Sequence, residues 1–484
     1  MKPKHAGLRS KDACRSTRGY PGSAPPPWRF TLFWKIKKLQ VFIPIPDTYR
    51  LGYCYSKMSE QHPPMDLSSE TISTNVLHCD SNSITFANAS ALQTASILIQ
   101  NNELVAFPTE TVYGLGACAT SNIAVSKIYR TKGRPADNPL IVHVSSLHML
   151  QSLLPSDWVL PLSYQILIDE FWPGPLTFLV PTISSEQPIS KIPDKVTCGL
   201  KTVAVRIPSH PIARALISLS GVPIAAPSAN LSGRPSPTEA EHVRKDLEPS
   251  IKLVLDGGPC NVGVESTVID GLNPDGGIRV LRLGGLSAED ITQCLVNAKT
   301  SGKLAEVPII EVPNSNGTSL APGIQPTTPG MKYKHYSPNA KVTLINLIRP
   351  PIPQNWQSFP TPIDLIDNFT TNFRRENIVC RPVSIGLMLI ENGELLKAFK
   401  SYEEELDCDE VELIHYALGP INQPEISAQR LFSSMRSLDE CLVDIIFVEQ
   451  VPLNGLGSTV MERLYKAAGT DIVKPIRLDT DYSA

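Results

Sequence analysis

Eight short apolar runs between residues 104 and 283 constrain the fold of this 484-residue chain more than any other feature. Each run is the length of one strand and ends in Pro, Gly or polar residues, and helical stretches lie between them. This alternation predicts an α/β domain built on a mixed sheet, although the order of the strands stays open. The predicted strands are 104–107, 140–144, 176–180, 203–207, 222–226, 253–255, 267–269 and 278–283.

A second alternation begins after residue 340 and predicts a second, smaller α/β domain. Three runs in it have the continuous apolar character of buried parallel strands, at 342–345, 383–390 and 442–448. Apolar side chains at helical spacing predict helices in both domains. The predicted helices are 90–101, 287–298, 429–440 and 458–468.

Residues 308–338 separate the two alternations and read as part of a linker, because they are rich in Pro, Gly, Thr and Asn. Tyr333 and Tyr336 stand there among basic residues, an unusual content for an inert spacer. The predicted parts of the chain are a basic, disordered N-terminal extension at 1–75, the first domain at 80–290, the linker at 291–340, the second domain at 341–476 and a tail at 477–484.

The composition is that of a folded protein without a strong preference for polyanions. Hydrophobic residues make up 42% of the chain, and 44 Lys or Arg against 47 Asp or Glu give a formal net charge of −3. A stable interface with a long nucleic acid usually needs a basic face. The 10 cysteines form neither a C-x-x-C pair nor a zinc-site spacing, so we expect reduced thiols. No apolar run approaches the ~20 residues of a membrane span.

The N-terminal region has a different charge balance from the rest of the chain. Residues 1–57 contain twelve Lys or Arg, with Asp12 and Asp47 as their acids. An acid-poor basic segment fits a mitochondrial transit peptide. A disordered extension, or translation starting at Met58, would explain the same bias, and these alternatives stay open.

Polar residues that can bind a ligand concentrate in loops at the ends of the predicted strands, where α/β sheets place ligands. The chain has no Walker loop and no G-x-G-x-x-G opening a helix. Glu110 stands between two threonine hydroxyls, a pattern that a capped turn would also show. Lys132 and Arg134 lie in a loop stiffened by Gly and Pro and suit a phosphate, although a solvated basic turn is the alternative.

Two further loops carry polar groups in apolar surroundings. Arg206 interrupts a predicted strand, so its charge needs a partner. A bound carboxylate and an internal salt bridge would satisfy it equally well. Ser228 and Asn230 lie among small residues that let a ligand approach the backbone, although Ser and Asn also occur in plain turns.

Together these loops resemble those of the L-threonylcarbamoyladenylate synthases. The resemblance runs from residue 85 to 290 through K-x-R (Lys132, Arg134) and S-x-N (Ser228, Asn230), accompanied in the expected order by P-T-E-T-V-Y-G-L, V-R-I-P, E-S-T-V and L-R-L-G. K-H-Y-S-P in the linker, A-Q-R-L-F and G-L-G-x-x-V-M extend it to 85–475 and indicate the two-domain form. It implies a YrdC-like catalytic domain with a twisted mixed sheet, a linker that reaches the active site, and a Rossmann-like C-terminal domain.

The resemblance also implies a reaction, in which L-threonine, bicarbonate and ATP become threonylcarbamoyl-AMP and pyrophosphate. Mg²⁺ would accompany ATP, with protein ligands unknown, and no organic cofactor is expected. The product would pass to a threonylcarbamoyl transferase that modifies tRNA next to the anticodon, with at most a weak contact between this chain and tRNA and none with a membrane. The expected location is the cytoplasm, and also the mitochondrion if the basic extension targets it.

Site residues carry over from the family motif by motif. The resemblance implies catalytic roles for Lys132, Arg134, Ser228 and Asn230. It implies threonine binding by Thr109, His143, Arg206, Ala226 and Ser266. It implies ATP binding by Arg134, Asn138, Thr202, Ser228, Ser236, Arg282 and Tyr336.

Two other functions use a related domain. An RNA-binding module would explain the basic loops, but the near-neutral charge disfavours it. A carbamoyl-transferring maturation enzyme would carry zinc fingers, and the cysteine spacing disfavours that alternative.

Overall fold

A computed structural model describes residues 73–81, 86–313, 335–349, 353, 355–377, 381–403, 410–469 and 473–478. The basic segment at 1–57, with its predicted transit or disordered character, lies outside these residues. Within them, no helix is long and apolar enough to cross a membrane.

The first domain is built on a mixed sheet of eleven described strands in the order β1-β8-β2-β3-β7-β4-β6-β5-β9-β10-β11. Its antiparallel pairs include β2 with β3 and β5 with β6, and its parallel pairs include β4 with β6. The strands are β1 Asn75–His78, β2 Val105–Phe107, β3 Gly114–Cys118, β4 Ile141–His143, β5 Leu176–Pro181, β6 Thr202–Arg206, β7 Ile224–Ala225, β8 Leu253–Asp256, β9 Thr267–Asp270, β10 Ile278–Arg282 and β11 Ile310–Glu311.

Helices cover this sheet and their ends follow local sequence signals. Ser287 caps α8 in a reciprocal capping box with Asp290. Gly133 ends α2 with a left-handed φ of 59°, which glycine adopts without steric cost. The described helices are α1 Phe86–Gln100, α2 Asn122–Lys132, α3 Leu147–Leu153, α4 Leu162–Phe171, α5 Asp194–Thr197, α6 Pro211–Ser220, α7 Ala240–Leu247 and α8 Ala288–Thr300.

The second domain has a five-stranded sheet whose described pairs are all parallel, in the order β14-β13-β15-β12-β16. Its strands are β12 Lys341–Leu347, β13 Val383–Ile390, β14 Val411–Gly419, β15 Ile445–Glu449 and β16 Lys474–Ile476. Its helices are α9 Pro362–Glu376, α10 Glu394–Glu403, α11 Pro424–Glu440 and α12 Leu456–Ala468, with a 3₁₀ turn at Trp356–Ser358.

The structure confirms the predicted α/β class, and a strand overlaps every one of the eight apolar runs. The interpretation of 107–115 as a loop was wrong at its end, because β3 begins at Gly114. That strand is rich in glycine and lacks the β-branched residues by which strands are usually predicted. Its glycines allow close packing, since a Cβ at Gly116 would lie 2.6 Å from the Phe107 ring. The linker was predicted without strands, yet β11 pairs with β10.

Helices α11 and α12 of the second domain pack against the first domain. Val112 and Val264 belong to the same buried cluster as Phe432 of α11. A Cβ at Gly263 would lie 2.4 Å from the Cα of Gln429, so the backbones are in close contact. Arg436 forms a buried two-pronged ion pair with Asp246, with atoms 2.8 and 3.3 Å apart. The second domain is therefore docked beside the loops that carry the motifs.

Candidate active site

A pocket in the first domain gathers side chains from loops that are far apart in sequence. Glu265 and His335, to which no role was assigned, also line it. The predicted site residues that line it are Thr109, Arg134, His143, Arg206, Ala226, Ser228, Ser266, Arg282 and Tyr336.

Arg206 lies at the end of β6 and is almost fully buried. Its Nη1 is 2.5 Å from Oε1 of Glu110, and Nη2 donates to Thr111 Oγ1 at 3.2 Å. Glu110 in turn accepts a bond from the Ser209 backbone at 3.0 Å. The internal salt bridge, one of the two alternatives for this charge, is therefore present. Because Arg206 also lines the pocket, a ligand carboxylate can still reach it.

His143 stands next to Arg206, since β4 and β6 pair these two residues. Its Nε2 is 3.2 Å from Arg206 Nη2. Burial first, and then the guanidinium charge, lower the pKa of His143 well below its ordinary value. A neutral imidazole therefore faces this part of the pocket, and its Nε2 is the acceptor in the pair with Arg206 because a guanidinium can only donate.

Thr109 uses its hydroxyl to shape the turn after β2. Its Oγ1 donates to the Val112 carbonyl at 2.6 Å and accepts from the backbone of Thr111 and Val112 at 3.2 Å. These bonds form a local threonine turn. They hold the backbone that presents the Glu110 carboxylate to Arg206.

Arg134 and Arg282 supply the other buried cations of the pocket wall. Arg134 donates to the carbonyls of Asn138 and Pro139 at 3.0 and 2.8 Å. Arg282 donates to the Ser266 carbonyl at 2.7 Å and to its hydroxyl at 3.1 Å. Burial lowers the pKa of Arg134, and it lowers that of Arg282 to about 10. Burial of a cation costs free energy, and this cost lowers the pKa of the cation. An anion that binds beside the cation reduces the cost.

Lys132 does not line the pocket but lies behind its wall. Its Nζ donates to the Ser228 carbonyl at 2.5 Å and to the Asn230 carbonyl. Burial first, then the Arg134 charge, hold its pKa well below the ordinary value. The two bonds from Lys132 Nζ fasten the S-x-N loop, while the pocket-facing charge comes from Arg134. A direct role of Lys132 on a phosphate stays a prediction.

The S-x-N loop is closed by its own side chains. Ser228 Oγ donates to Asn230 Oδ1 at 2.5 Å, and Asn230 Nδ2 donates to the Arg234 carbonyl at 3.0 Å. Asn230 is almost fully buried, so it shapes the loop. Ser228 is the member of the pair that reaches the pocket.

Three other predicted ATP residues lie outside the pocket wall. Asn138 is buried, and its Oδ1 has no hydrogen-bond partner in the part of the chain described. Thr202 begins β6 and pairs with Pro181. Ser236 is buried and donates to Oε1 of Glu265 at 2.6 Å, so it reaches the pocket through that carboxylate.

Glu265 forms an ion pair that crosses from the first domain to the second. Its Oε2 is 3.0 Å from Nε of Arg463, a fully buried residue of α12 that also donates to the Leu283 carbonyl at 2.7 Å. Burial raises the pKa of Glu265, but the charges of Arg463 and Arg282 outweigh it and hold the pKa at about 2. Arg463 received no role from the sequence. The signal that could have identified it is its position next to the apolar face of the predicted helix 458–468.

Tyr336 joins the linker to both domains. Its ring stacks on Phe432 with centroids 5.2 Å apart, and the Arg463 guanidinium lies 5.1 Å from its centre. The next residue, Ser337, donates its N–H to the Gly233 carbonyl at 2.9 Å. Tyr336 has a φ of 65°, which is costly for a non-glycine residue and which these contacts hold in place. The predicted approach of the linker to the pocket is thus present at Tyr336.

Separate family models match the two domains of the chain. A family model described as telomere recombination matches residues 97–284, and one described as the C-terminal domain of threonylcarbamoyl-AMP synthase matches 286–469. The threonylcarbamoyl-AMP synthase of Schizosaccharomyces pombe is 41% identical over 398 residues, which cover 78% of this chain and 88% of that protein. The enzyme of the same name from Bacillus subtilis is 38% identical over 381 residues, covering 78% and 93%.

The fold is also similar to a solved structure. The crystal structure of Pyrococcus abyssi Sua5 complexed with L-threonine is 36% identical, with a TM-score of 0.63, and the match covers 84% of this chain and 100% of that one. At this identity and coverage the similarity includes both domains.

Proposed function

The chain belongs to the threonylcarbamoyl-AMP synthase family, and from this premise we propose that it condenses L-threonine, bicarbonate and ATP into threonylcarbamoyl-AMP and pyrophosphate. The family membership identifies an enzyme, which favours this function over an RNA-binding module. The complex of the P. abyssi protein with L-threonine supports the choice of amino acid.

The observation that carries the proposal is the charge of the pocket. Three described arginines, Arg134, Arg206 and Arg282, line it, and Glu265 is the carboxylate among its described lining residues. Buried positive charge of this kind favours anionic ligands. In the proposed arrangement Arg206 binds the threonine carboxylate, and Arg134 and Arg282 bind the triphosphate.

The proposed reaction has two steps. The threonine amine attacks bicarbonate, a C–N bond forms, and water leaves to give a carbamate. A carbamate oxygen then attacks the α-phosphorus, and the bond to the β-phosphate oxygen breaks and releases pyrophosphate. Such steps need positioning and stabilisation of negative charge more than a covalent nucleophile. Thr109, His143, Ala226 and Ser266 would hold threonine, and the S-x-N loop would hold the phosphates.

Mg²⁺ is proposed as part of the ATP substrate. Among the described residues there is no group of three or more His, Cys, Asp or Glu that could hold a metal ion. Mg²⁺ on ATP is commonly held by phosphates and water with few protein ligands, so the residues present fit this substrate. The Ser228 hydroxyl is the protein oxygen that we propose beside it.

The proposed product is a reactive mixed anhydride, which needs a second enzyme to use it. We propose that a threonylcarbamoyl transferase receives it and modifies an adenosine beside the anticodon of tRNA. A cytoplasmic location, with a mitochondrial pool if the basic extension targets it, is part of the same proposal.

The test is to incubate the full chain with MgATP, bicarbonate and L-threonine and to measure pyrophosphate. We expect release that needs all three substrates, together with a nucleotide product heavier than AMP by the threonylcarbamoyl group in mass spectrometry. L-Alanine in place of threonine is the matched control. Release that is independent of threonine would refute the proposal.

A further inference from the structure

The second domain contains a cavity at the carboxyl edge of its parallel sheet. Leu347, Ile390 and Glu449 are the last residues of β12, β13 and β15, and all three line the cavity. In open α/β sheets, ligands bind at this edge. None of the residues lining this cavity lines the pocket of the first domain.

The order of the strands opens a crevice at this place. β13 and β15 are neighbours, yet the chain leaves β13 toward β14 on one side and leaves β15 toward β16 on the other. Because the two connections leave in opposite directions, neither of them closes the gap between the ends of β13 and β15. This is the topological position where such sheets bind ligands.

Glu449 places a carboxyl group inside the crevice. Its side chain is 3% exposed. One oxygen, Oε2, accepts from the Ile390 backbone at 2.9 Å, next to a register shift between Leu389 and Ile390. Among the described residues no hydrogen bond reaches the other oxygen, and Glu449 faces the open cavity. A buried carboxyl with an open acceptor is costly unless a donor reaches it.

The walls around Glu449 are mainly apolar. Ile390, Leu453 and Met461 line the cavity, and Tyr465 lies beside them with its hydroxyl bonded to Gln450 at 3.0 Å. Walls of this kind suit a flat ring better than a small, strongly hydrated metabolite.

Arg349 gives the cavity a cation on its exposed side. Its side chain is 53% exposed, and Nη1 is 3.5 Å from Oε2 of Glu394, which is also about half exposed. An ion pair in this solvated position contributes little, so the guanidinium can exchange its partner for a ligand anion. The cavity therefore combines an inner acceptor, an apolar wall and an outer cation.

We propose that this cavity binds a ribonucleoside 5′-monophosphate. The ribose hydroxyls donate to Glu449, the base lies against Leu453 and Met461, and the phosphate meets Arg349. The site is separate from the ATP-binding pocket of the proposed reaction, so the chain has a second nucleotide site. Its existence does not depend on the proposed function.

The test is photolabelling of the full chain with 8-azido-AMP, followed by peptide mapping. We expect saturable labelling within Glu449–Leu453, which line the second cavity and not the first pocket, and we expect unlabelled AMP to compete while L-threonine does not. Label found only in peptides that contain His335 or Tyr336 would assign all the binding to the first pocket and overturn the proposal. Competition by L-threonine at the second segment would overturn it as well.

Glu449→Gln is the specific variant, because a glutamine can keep the bond to Ile390 while it replaces the open acceptor with a donor. Labelling of 449–453 should fall by roughly tenfold or more, as expected for loss of hydrogen bonds to a charged group. Glu412→Gln removes an exposed carboxylate from β14 and should leave the labelling unchanged. Equal labelling of both variants would contradict the assignment.

Met461→Trp provides a second measure that does not touch Glu449. The larger ring fills the space proposed for the base and should block labelling of 449–453 while label in the first pocket persists. Persistence of both labels, in a variant whose circular dichroism matches that of the parent, would show that the base does not lie there.

Discussion

The two cavities lie in similar places in their sheets but hold opposite charges. The pocket of the first domain is lined by Arg134, Arg206 and Arg282, and burial lowers the pKa of each. The cavity of the second domain centres on Glu449, and burial raises its pKa to about 7. Burial of each charged group costs free energy, and binding of a ligand group of complementary charge or hydrogen-bonding character reduces that cost.

The difference shows that position in the fold identifies where a ligand binds, while the buried charge determines which kind. Loops at strand ends are available in both domains. In the first, cations favour phosphate and carboxylate groups. In the second, an acceptor favours hydroxyl or amine donors. Substitutions that move or remove these charges test the contrast.

The largest effect on catalysis is expected for Arg282→Met, which removes one cation from the first pocket. We expect kcat/KM for ATP to fall by about 100-fold or more, because charge stabilisation in a site shielded from water is strong. Arg279→Met is the matched control: Arg279 lies on the same strand, is about half exposed and pairs with Asp270. Equal losses in both variants would show that the strand, not the cation, matters.

Arg463→Met tests whether the second domain supports the first pocket through Glu265. Removing one partner of a buried ion pair costs about 3–5 kcal/mol of unfolding free energy. We expect a loss of this size at pH 7 in urea denaturation. Pyrophosphate release should also fall about tenfold, since Tyr336 loses a neighbour.

The difference in unfolding free energy between the parent and Arg463→Met should depend on pH. The pKa of Glu265 is about 2 in the folded chain against an ordinary 4.5, so its stabilisation is present above pH 4.5 and is lost as the pH falls toward 2. The difference between parent and variant should therefore shrink over that range. Arg430→Met on α11 breaks an exposed pair with Glu391 and should cost at most about 1 kcal/mol. A constant difference down to pH 3 would contradict the role of Glu265.

Lys132→Met distinguishes an anchor of the S-x-N loop from a residue that contacts phosphate. If Lys132 holds the S-x-N loop, KM for ATP should rise about tenfold, less than the loss in Arg282→Met, because the loop relaxes but the pocket keeps its cations. Lys127→Met on the same helix, where Lys127 pairs with Glu103, is the control and should change KM little. A loss as large as that of Arg282→Met would instead favour direct contact with phosphate.

Glu449→Gln is expected to act in the opposite direction and to stabilise the chain. The folded pKa of about 7 lies above the ordinary 4.5, so the parent loses stability as the pH rises through this range. Arg349 opposes this rise in pKa and Glu394 adds to it. The variant should be more stable than the parent by about 3 kcal/mol at pH 8 and by little at pH 4.5 in urea denaturation. Equal unfolding free energies at pH 8 would show that the carboxyl is not strained by burial.

The sequence was sufficient to identify most of the sheet, because apolar runs with sharp ends record burial directly. It did not reveal β3, whose glycines are used for close packing, and it gave no strand order. Order depends on contacts between residues that are far apart in the chain. The crevice at Glu449 is a product of that order, so no local pattern could have revealed it.

The motifs identified much of the pocket but not how its parts support each other. From the sequence, either a ligand carboxylate or an internal salt bridge could have satisfied the charge of Arg206. The structure shows the salt bridge, with Glu110. Lys132 looked like a phosphate ligand, yet in the structure its bonds go to carbonyls. Arg463 lies 198 residues from Glu265 in the chain, so their pairing needed the docked domains.

The most direct test of the central claim, that separate arginines bind threonine and ATP in one pocket, is calorimetric titration of each ligand into two variants. Arg206→Lys keeps a charge for Glu110 but loses the planar fork, so threonine affinity should fall about tenfold while ATP affinity changes less than about twofold. Arg282→Met should show the reverse pattern. If each variant weakens both ligands equally, the proposed division of the pocket is wrong.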